Sequence, residues 1–354
     1  MIKIPIKNPR KILIVKPSSL GDVVHSLPFL NSVRKCFPQA EIHWIIAKGL
    51  EGLLEGHPMV NKLWIINKDG WKKIKNVKGT VSEFNVLFKK LKREKFDIVV
   101  DLQGLLRSGI LAAATSAPVR VGFSEAREGS RLFYTHKIKG GRDIHAVDRY
   151  LKIADFLGCD VTDIRFPLPP DNQSSSSIFH PLSLIPHPSE DYAVMVPGAR
   201  KPANRWPARR FGKLASVLPI KTVVIGSMDD RILADEVVEA SKGKAISIAG
   251  KTDLKVMMEV IKGARFMVTN DTGPMHIAVA FGIRVFAIFG PADPARTGPY
   301  GEGHFVIRED VPCAPCFRRT CTDMKCMKSL SVEKVYRAIK ENPPYAINRL
   351  PAPQ

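Results

Sequence analysis

The sequence predicts an α/β protein of two domains, each built as a parallel sheet wound on both faces by helices. Short apolar runs alternate with amphipathic helical segments in the first half of the chain, and the same alternation restarts in the second half. Between the halves, residues 171–190 are rich in Pro and Ser, which is typical of a linker. A chain of 354 residues is long enough for two separate cores. We therefore predict domains at residues 1–170 and 191–335, and a tail at residues 336–354 with the option of packing back on the first domain.

The predicted strands and helices follow one another in regular β/α order. In the first domain we expect strands at residues 12–15, 41–47, 62–66, 96–102 and 120–123, and helices at residues 23–30, 81–95, 105–115 and 150–157. In the second domain we expect strands at residues 192–196, 221–226, 245–248, 266–269 and 285–289, and helices at residues 209–218, 231–241, 254–262 and 275–281. Because ligands of such sheets bind beyond the carboxyl ends of the strands, the loops after the strands are the candidate sites, with the cleft between the domains as the default active site.

The composition favours an anionic partner. The chain holds 54 Lys and Arg against 34 Asp and Glu, a formal net charge of +20, which suits nucleic acid, an anionic membrane surface or a phosphorylated substrate. We find no recognisable nucleic-acid-binding motif. No apolar run is long enough for a transmembrane helix, and the first ten residues are too short and too charged for a signal peptide. We therefore expect a cytoplasmic protein with reduced cysteines.

The first candidate site is the stretch KPSSLGDVVHSLP at residues 16–28, directly after the first strand. Ser18, Ser19 and Gly21 predict a tight turn, and Asp22 falls in the first turn of the following helix. This carboxylate has two interpretations: it is a helix cap held by backbone N–H groups, or it faces a ligand at the strand end.

The second candidate site is the stretch NDTGPMHIA at residues 270–278, which follows a strand and opens a helix. Asp271 and Thr272 are good N-cap residues, and Gly273 permits close approach of a ligand to the backbone. A helix N-terminus of this kind suits a phosphate, although capping alone is the alternative explanation. His276 lies one turn into the helix, either as a core residue or close to the phosphate.

A third candidate is the loop PGARKPANRWP at residues 197–207, after the first strand of the second domain. Arg200, Lys201 and Arg205 give it cations that suit a diphosphate, and Arg offers bidentate contacts. Each of them taken singly could instead be a solvated surface charge.

These stretches together resemble one enzyme family. Six stretches are similar to motifs of the ADP-heptose:lipopolysaccharide heptosyltransferases, glycosyltransferase family nine. They run in family order between residue 11 and about residue 332, and they are SSLGDVVHSLP, DLQGLLRS, HAVDRYL, PGARKPANRWP, NDTGPMHIA and FGPADP. SSLGDVVHSLP and the EAREGS stretch at residues 125–130 resemble heptosyltransferase I more than II. The resemblance implies the GT-B fold, in which two doubly wound Rossmann-like domains face each other across a cleft.

The resemblance also implies a reaction: inverting, metal-independent transfer of L-glycero-D-manno-heptose from ADP-heptose to Kdo of the lipid A inner core, without a cofactor, in lipopolysaccharide biosynthesis. Asp22 matches the family's general base, and an inverting transfer does need a carboxylate to take the proton from the attacking hydroxyl. The alternatives are heptosyltransferase II, another GT-B transferase that uses a different nucleotide sugar, and, remotely, a basic nucleic-acid-binding protein.

The placement of the loops and the same resemblance together assign the binding residues, although the basic stretch at residues 71–78 could instead be a solvated run of charges. Family members often carry a Lys where Asn204 stands here, so Lys201 or Arg205 would supply the charge for the diphosphate, and Asp271 would contact the nucleoside or the sugar. The anionic acceptor and peripheral contact with the inner face of the inner membrane would depend on basic and polar residues of the first domain. The donor set is Ser18, Ser19, Gly21, Lys201, Arg205, Asp271, Thr272, Gly273 and His276, and the acceptor set is Lys72, Lys73, Lys75, Gln103 and Arg127.

Four cysteines near the end of the chain suggest a metal site by composition. Cys313, Cys316, Cys321 and Cys326 are clustered, but their x4 spacings depart from common zinc ribbons. We expect no catalytic metal, and a structural metal on these four residues remains the alternative. Cys36 and Cys159 are predicted to be core residues.

Overall fold

The computed structural model describes residues 8–67, 77–170 and 190–343, with the side chains of the third helix described from residue 84 onward. The chain divides into two compact units, at residues 1–171 and 172–354. The two domains are described separately below. The predicted linker at residues 171–190 falls almost entirely outside the described residues.

The first domain is a six-stranded parallel sheet covered by helices. The strand order is β3-β2-β1-β4-β5-β6. The elements are β1 (Lys11–Val15), α1 (Leu20–His25), α2 (Leu27–Cys36), β2 (Glu41–Ala47), β3 (Lys62–Ile66), α3 (Val77–Arg93), β4 (Ile98–Asp101), α4 (Leu106–Ala114), β5 (Val119–Phe123), β6 (His136–Ile138) and α5 (Ala146–Phe156).

The second domain repeats this architecture with a sheet of order β12-β11-β10-β7-β8-β9. Its elements are β7 (Tyr192–Val196), α6 (Ala208–Val217), β8 (Lys221–Val224), α7 (Arg231–Ala240), β9 (Ala245–Ser247), α8 (Leu254–Gly263), β10 (Phe266–Asn270), α9 (Gly273–Ala280), β11 (Arg284–Ile288), α10 (Pro294–Thr297), β12 (Phe305–Ile307), α11 (Lys325–Lys328) and α12 (Val332–Glu341).

The two sheets have the same topology. Numbered within its own domain, each sheet has the order 3-2-1-4-5-6, so the direction of winding changes between the first and fourth strands. In the first domain this point lies between β1 and β4, where Val15 pairs with Asp101. In the second domain it lies between β7 and β10, where Val196 pairs with Thr269. In each domain, the crevice beyond its own pair of strand ends is where doubly wound sheets bind ligands.

Each domain has a hydrophobic core of its own. The central strands β1 and β7 are almost completely buried because helices cover both faces of a parallel sheet. In the second domain the indole of Trp206 lies 4.9 Å from the ring of Phe211, centre to centre, and its Nε1 donates to the Leu330 carbonyl oxygen at 2.9 Å. This bond and the buried side chains of Val335 and Ile339 attach α12 to the second domain.

An ion-pair cluster lies at the amino-terminal ends of β1 and β3 in the first sheet. Glu94, at the end of α3, accepts from Lys62 Nζ at 2.6 Å and from Lys11 Nζ at 2.9 Å. Burial raises the pKa of Glu94, but the hydrogen bonds and charges of the two lysines outweigh burial and lower that pKa to about 2.

Several element boundaries differ from the predictions for local reasons. Helix α5 begins at Ala146, four residues before the predicted start, because Nδ1 of His145 caps it by accepting from the Val147 N–H at 3.2 Å. The edge strands β6 and β12 were not predicted, since each has only three residues. The predicted tail begins inside α12, and residues 344–354 lie outside the described part.

Candidate active site

The turn after β1 holds Asp22 at the N-terminus of α1. Oδ2 of Asp22 accepts from the Ser19 N–H at 2.9 Å and from the Ser19 hydroxyl at 2.6 Å. Ser19 is the N-cap residue and Asp22 the third residue of the helix, so the pair forms a capping box. The capping interpretation of Asp22 is therefore correct, but it does not exclude chemistry, because the carboxylate is only partly buried and is held in a fixed orientation at the strand end.

The turn after β4 lies beside the turn after β1. Asp101 is fully buried and accepts from the Tyr134 hydroxyl at 2.6 Å and from the N–H groups of Gln103 at 2.8 Å and Gly104 at 3.0 Å. Burial raises the pKa of this carboxyl group. The turn that Asp101 builds presents Gln103, whose Oε1 accepts from the Ser18 N–H at 3.4 Å. The structure thus brings the predicted acceptor residue Gln103 next to the predicted donor residues Ser18 and Ser19.

Lys16 is a member of this site that the sequence analysis missed. It is 3% exposed, its Nζ donates to the Leu102 carbonyl oxygen at 3.2 Å, and the same Nζ lies 5.0 Å from the centre of the Tyr150 ring. Burial lowers the pKa of Lys16, but the Tyr150 side chain and the carboxylates of Asp22 and Asp101 more than compensate, so the pKa lies above its ordinary value. Its position directly after a buried strand is equally typical of a solvated lysine, so no local signal in the sequence distinguishes it.

Arg127 lies next to the same turn, whereas the three predicted acceptor lysines fall outside the described residues. The Arg127 N–H donates to the Gly104 carbonyl oxygen at 2.9 Å, and its side chain is exposed. Gly104 has a φ of +67°, and a Cβ there would lie 3.3 Å from the Cβ of Ala126, so glycine suits both the turn and the close contact. Lys72, Lys73 and Lys75 belong to the segment that the structure does not describe.

In the second domain, Asn270 ties the two candidate loops together. Its Oδ1 accepts from the Trp206 N–H at 3.0 Å, and its Nδ2 donates to the Pro197 carbonyl oxygen at 2.8 Å. Asn270 is completely buried at the end of β10. One side chain therefore fixes the loop after β7 against the start of α9, where Asp271, Thr272 and Gly273 follow.

The predicted phosphate site lies at the N-terminus of α9. Thr272 is the N-cap residue in an extended conformation, yet its hydroxyl makes no capping hydrogen bond. Capping alone therefore does not explain a Thr at this position. His276, one turn into the helix, is buried, with 5% of its surface exposed.

The loop after β7 holds its cations in different environments. Arg205 is half-buried, and its Nε donates to the Ala199 carbonyl oxygen at 2.8 Å, which fixes the plane of the guanidinium group. Lys201 is half-buried and Arg200 is exposed. Asn204, which stands at the position of the family lysine, is buried, and its Nδ2 donates to Oδ2 of Asp271 at 2.9 Å. Its Oδ1 is buried without a hydrogen-bond partner.

The four clustered cysteines are free thiols. Cys326 is buried, Cys313 is exposed, and the N–H of Cys316 donates to the Pro291 carbonyl oxygen at 3.1 Å, which fastens the cysteine segment to the FGPADP loop. Across the described residues, no group of three or more His, Cys, Asp or Glu side chains is arranged to hold a metal ion. Cys159 is buried as predicted, whereas Cys36 is half-buried.

Comparison with known proteins identifies the family of this chain. The family model for glycosyltransferase family 9 (heptosyltransferase) matches residues 85–327. The chain belongs to glycosyltransferase family 9. It is 28% identical over 321 residues to lipopolysaccharide heptosyltransferase 1 of Pseudomonas aeruginosa, a match that covers 88% of this chain and 87% of the relative.

Two solved structures extend the comparison to the fold. The structure of E. coli heptosyltransferase WaaC with ADP is 25% identical, with a TM-score of 0.75 and coverage of 94% of this chain and 99% of that chain. The structure of the same enzyme with ADP-2-deoxy-2-fluoro heptose is 25% identical, with a TM-score of 0.73 and the same coverage. The family member described here is therefore a glycosyltransferase, and its predicted α/β, GT-B fold class is confirmed. In the described part of the chain, no helix is both long and apolar enough to cross a membrane.

Proposed function

We propose that this protein transfers L-glycero-D-manno-heptose from ADP-heptose to Kdo of the lipid A inner core, as a heptosyltransferase I of lipopolysaccharide biosynthesis. Family membership and the name of the Pseudomonas aeruginosa relative support a heptosyltransferase. The two ligands in the E. coli structures support an ADP-sugar donor. The observation that carries the proposal is Asp22, a partly buried carboxylate oriented by two bonds from Ser19 at the switch point of its sheet.

Asp22 is the general base of the proposed reaction. As a Kdo hydroxyl oxygen forms a bond with C1 of the heptose, its proton moves to the Asp22 carboxylate. The bond between C1 and the diphosphate oxygen breaks, and its electron pair leaves with ADP. Attack from the face opposite the leaving group inverts the configuration at C1, through a transition state with oxocarbenium character. The two Ser19 hydrogen bonds keep the carboxylate in one orientation before the hydroxyl arrives.

The second domain binds the donor through the start of α9 and the loop after β7. Helix N-termini attract phosphates because their first N–H groups point outward and the helix dipole is positive there. Thr272 and Gly273 begin this helix, and Arg205 and Lys201 add cations that stabilise the charge developing on ADP. We favour Arg205 for the diphosphate, since its bond to Ala199 already fixes the guanidinium plane and since arginine contacts phosphates bidentately.

The first domain binds the acceptor. Gln103 and the exposed Arg127 belong to neighbouring turns, joined by the backbone bond from Arg127 to Gly104. Together with Lys72, Lys73 and Lys75 they would contact the carboxylates and phosphates of Kdo-lipid A. The net charge of +20 supports peripheral binding at the anionic, cytoplasmic face of the inner membrane.

The test is incubation of the purified protein with ADP-heptose and either Kdo2-lipid A or the same acceptor already carrying one heptose. The proposal expects a mass increase of one heptose on Kdo2-lipid A, with release of one ADP for each transfer. Transfer only to the heptosylated acceptor would assign the protein as heptosyltransferase II. Absence of transfer to both acceptors would overturn the proposal.

A further inference from the structure

A buried ammonium group lies at the centre of the first domain's candidate site. Lys16 directly follows β1 and is 3% exposed, although lysine is among the residues least often buried. The Trp44 indole donates to its backbone carbonyl oxygen at 3.1 Å, and its own Nζ donates to the Leu102 carbonyl oxygen at 3.2 Å. The side chain therefore joins the turn after β1 to the turn after β4, the two turns that present Asp22 and Gln103.

A buried charge must be compensated, and the neighbours of Lys16 do so. Removing an ammonium from water is unfavourable unless opposite charges and hydrogen bonds replace the lost hydration. The carboxylates of Asp22 and Asp101 both stabilise the charged form of Lys16, as does the side chain of Tyr150. The interaction is mutual, so the ammonium stabilises the ionised form of Asp22 by the same amount.

The groups that act on the charge of this lysine come from three elements: α1, the end of β4 and α5. The guanidinium carbon of Arg149, the residue before Tyr150, lies 4.2 Å from the centre of the Phe123 ring. The His25 and His145 rings meet edge to face, 5.0 Å apart, where α1 meets the start of α5. The groups are Asp22 on α1, Asp101 at the end of β4 and Tyr150 on α5, and Arg149 in turn acts on Tyr150.

We propose that Lys16 is a positioning residue for the transfer reaction, whose buried ammonium favours the ionised form of Asp22 and fastens the turn after β1 to the turn after β4. The inference rests on the proposed function, because it takes Asp22 as the base. Lys16 itself does not touch the reacting atoms. It acts through the charge and the orientation of the carboxylate.

The test compares Lys16→Gln, Lys16→Met and Lys16→Arg with a control, Lys48→Met. Lys48 also lies at the carboxyl end of a parallel strand of this sheet, just after β2, but it is exposed. In Lys16→Gln and Lys16→Met the acid limb of the kcat/KM profile should move up by about one pH unit or more, the size expected on losing an opposite charge. Lys16→Arg keeps the positive charge, so the acid limb of its profile should lie between those of the wild type and the uncharged variants. The profile of Lys48→Met should match that of the wild type. Circular dichroism at each pH would establish that the variants are folded.

A second measurement reports on Asp22 without any turnover. In protein labelled with 13C at the aspartate carboxyl carbon, the signal missing from Asp22→Asn identifies Asp22 in the wild type. Its pKa should lie below the ordinary value of about 3.9 in the wild type and rise in Lys16→Gln. A wild-type pKa at or above that value would overturn the inference even if no uncharged variant folds, and so would an unchanged titration in folded Lys16→Gln. By contrast, high activity of Asp22→Asn would overturn the proposed base and leave the measured coupling between Lys16 and Asp22 intact.

Discussion

Asp22→Asn separates the two roles that the structure gives to one carboxylate. The asparagine side chain has the same shape, and its oxygen can still accept both bonds that Ser19 donates to Oδ2, at 2.9 and 2.6 Å. What the substitution removes is the charge and the ability to take a proton. We expect the fold and ADP binding to survive and most of the turnover to be lost.

The expected magnitudes differ enough to be distinguished. A hydrogen bond to a charged acceptor contributes about 1.5–3 kcal/mol and a neutral one about 0.5–1.5 kcal/mol, so two weakened cap bonds amount to about 2–3 kcal/mol of folding stability. Loss of a general base lowers the rate by about 10²–10⁴, or about 3–5 kcal/mol in the activation barrier. The first effect appears as a lower Tm and the second as a lower kcat.

The second domain offers a matched control for the cap. The Ser227 N–H and hydroxyl donate to Oδ2 of Asp230 at 2.9 and 2.6 Å, the same geometry as in the first domain. Asp230→Asn should therefore lower stability to a similar extent while it retains kcat at saturating ADP-heptose and acceptor. The assay is ADP release at saturating substrates, with calorimetry for ADP affinity. If Asp22→Asn keeps more than half of the wild-type kcat, Asp22 is only a cap and the mechanism is wrong.

Four other predictions concern the donor, the metal, the acceptor and stability. Arg205→Ala and Thr272→Ala should each weaken ADP binding, by about 1.5–3 kcal/mol for the charged contact; unchanged calorimetric affinity in both would refute the donor site, and an effect of Thr272→Ala alone would move the cation to Lys201. Activity should survive exhaustive EDTA treatment, and activity that is lost and then restored by Mg²⁺ or Mn²⁺ would contradict a metal-independent reaction. The combined change of Lys72, Lys73 and Lys75 to Gln should raise acceptor KM severalfold and flatten its salt dependence with donor KM unchanged, since a lysine near an anionic surface contributes about 1 kcal/mol at most; unchanged acceptor kinetics between low and high salt would contradict it. Because the pKa of Glu94 is lowered to about 2, its contribution to stability is present above the unfolded pKa of about 4.5 and disappears as pH falls towards 2; urea unfolding should show Glu94→Gln less stable than wild type by about 1–2 kcal/mol at pH 7, a discounted figure for lysine partners that are partly exposed, and a difference that does not shrink at pH 3 would disprove this.

Local sequence patterns predicted the parts of the fold that local forces determine. The apolar run before residue 16, the small residues after it and the helical spacing beyond them predicted β1, the turn and a following helix. The single helix predicted over residues 23–30 is wrong, because the chain forms two helices there, α1 and α2, which meet at Ser26. The cap of α5 escaped prediction because its acceptor is a ring nitrogen of His145, which is not a usual N-cap residue.

The site was predictable only in part, because its decisive contacts join residues far apart in the chain. Gln103 meets Ser18 across 85 positions, and Lys16 meets Leu102 across 86. A lysine at a strand end is typical of a solvated charge, and only the packing of α5 over it shows that it is buried. Asp101 was missed for the same reason, since its main partner, Tyr134, lies 33 positions away in the sequence.

Because each domain packs around its own hydrophobic core, the protein contains two folding units joined by one stretch of chain. Heat should then melt the domains in separate steps instead of one, and a single Tm would not describe the protein. A ligand stabilises only the unit that binds it, by about 2.7 kcal/mol at a concentration one hundred times Kd. ADP should therefore raise the melting temperature of the domain that contains α9 and leave that of the other domain unchanged. Calorimetry would thus reveal which half of the molecule recognises the nucleotide before any residue in it is changed.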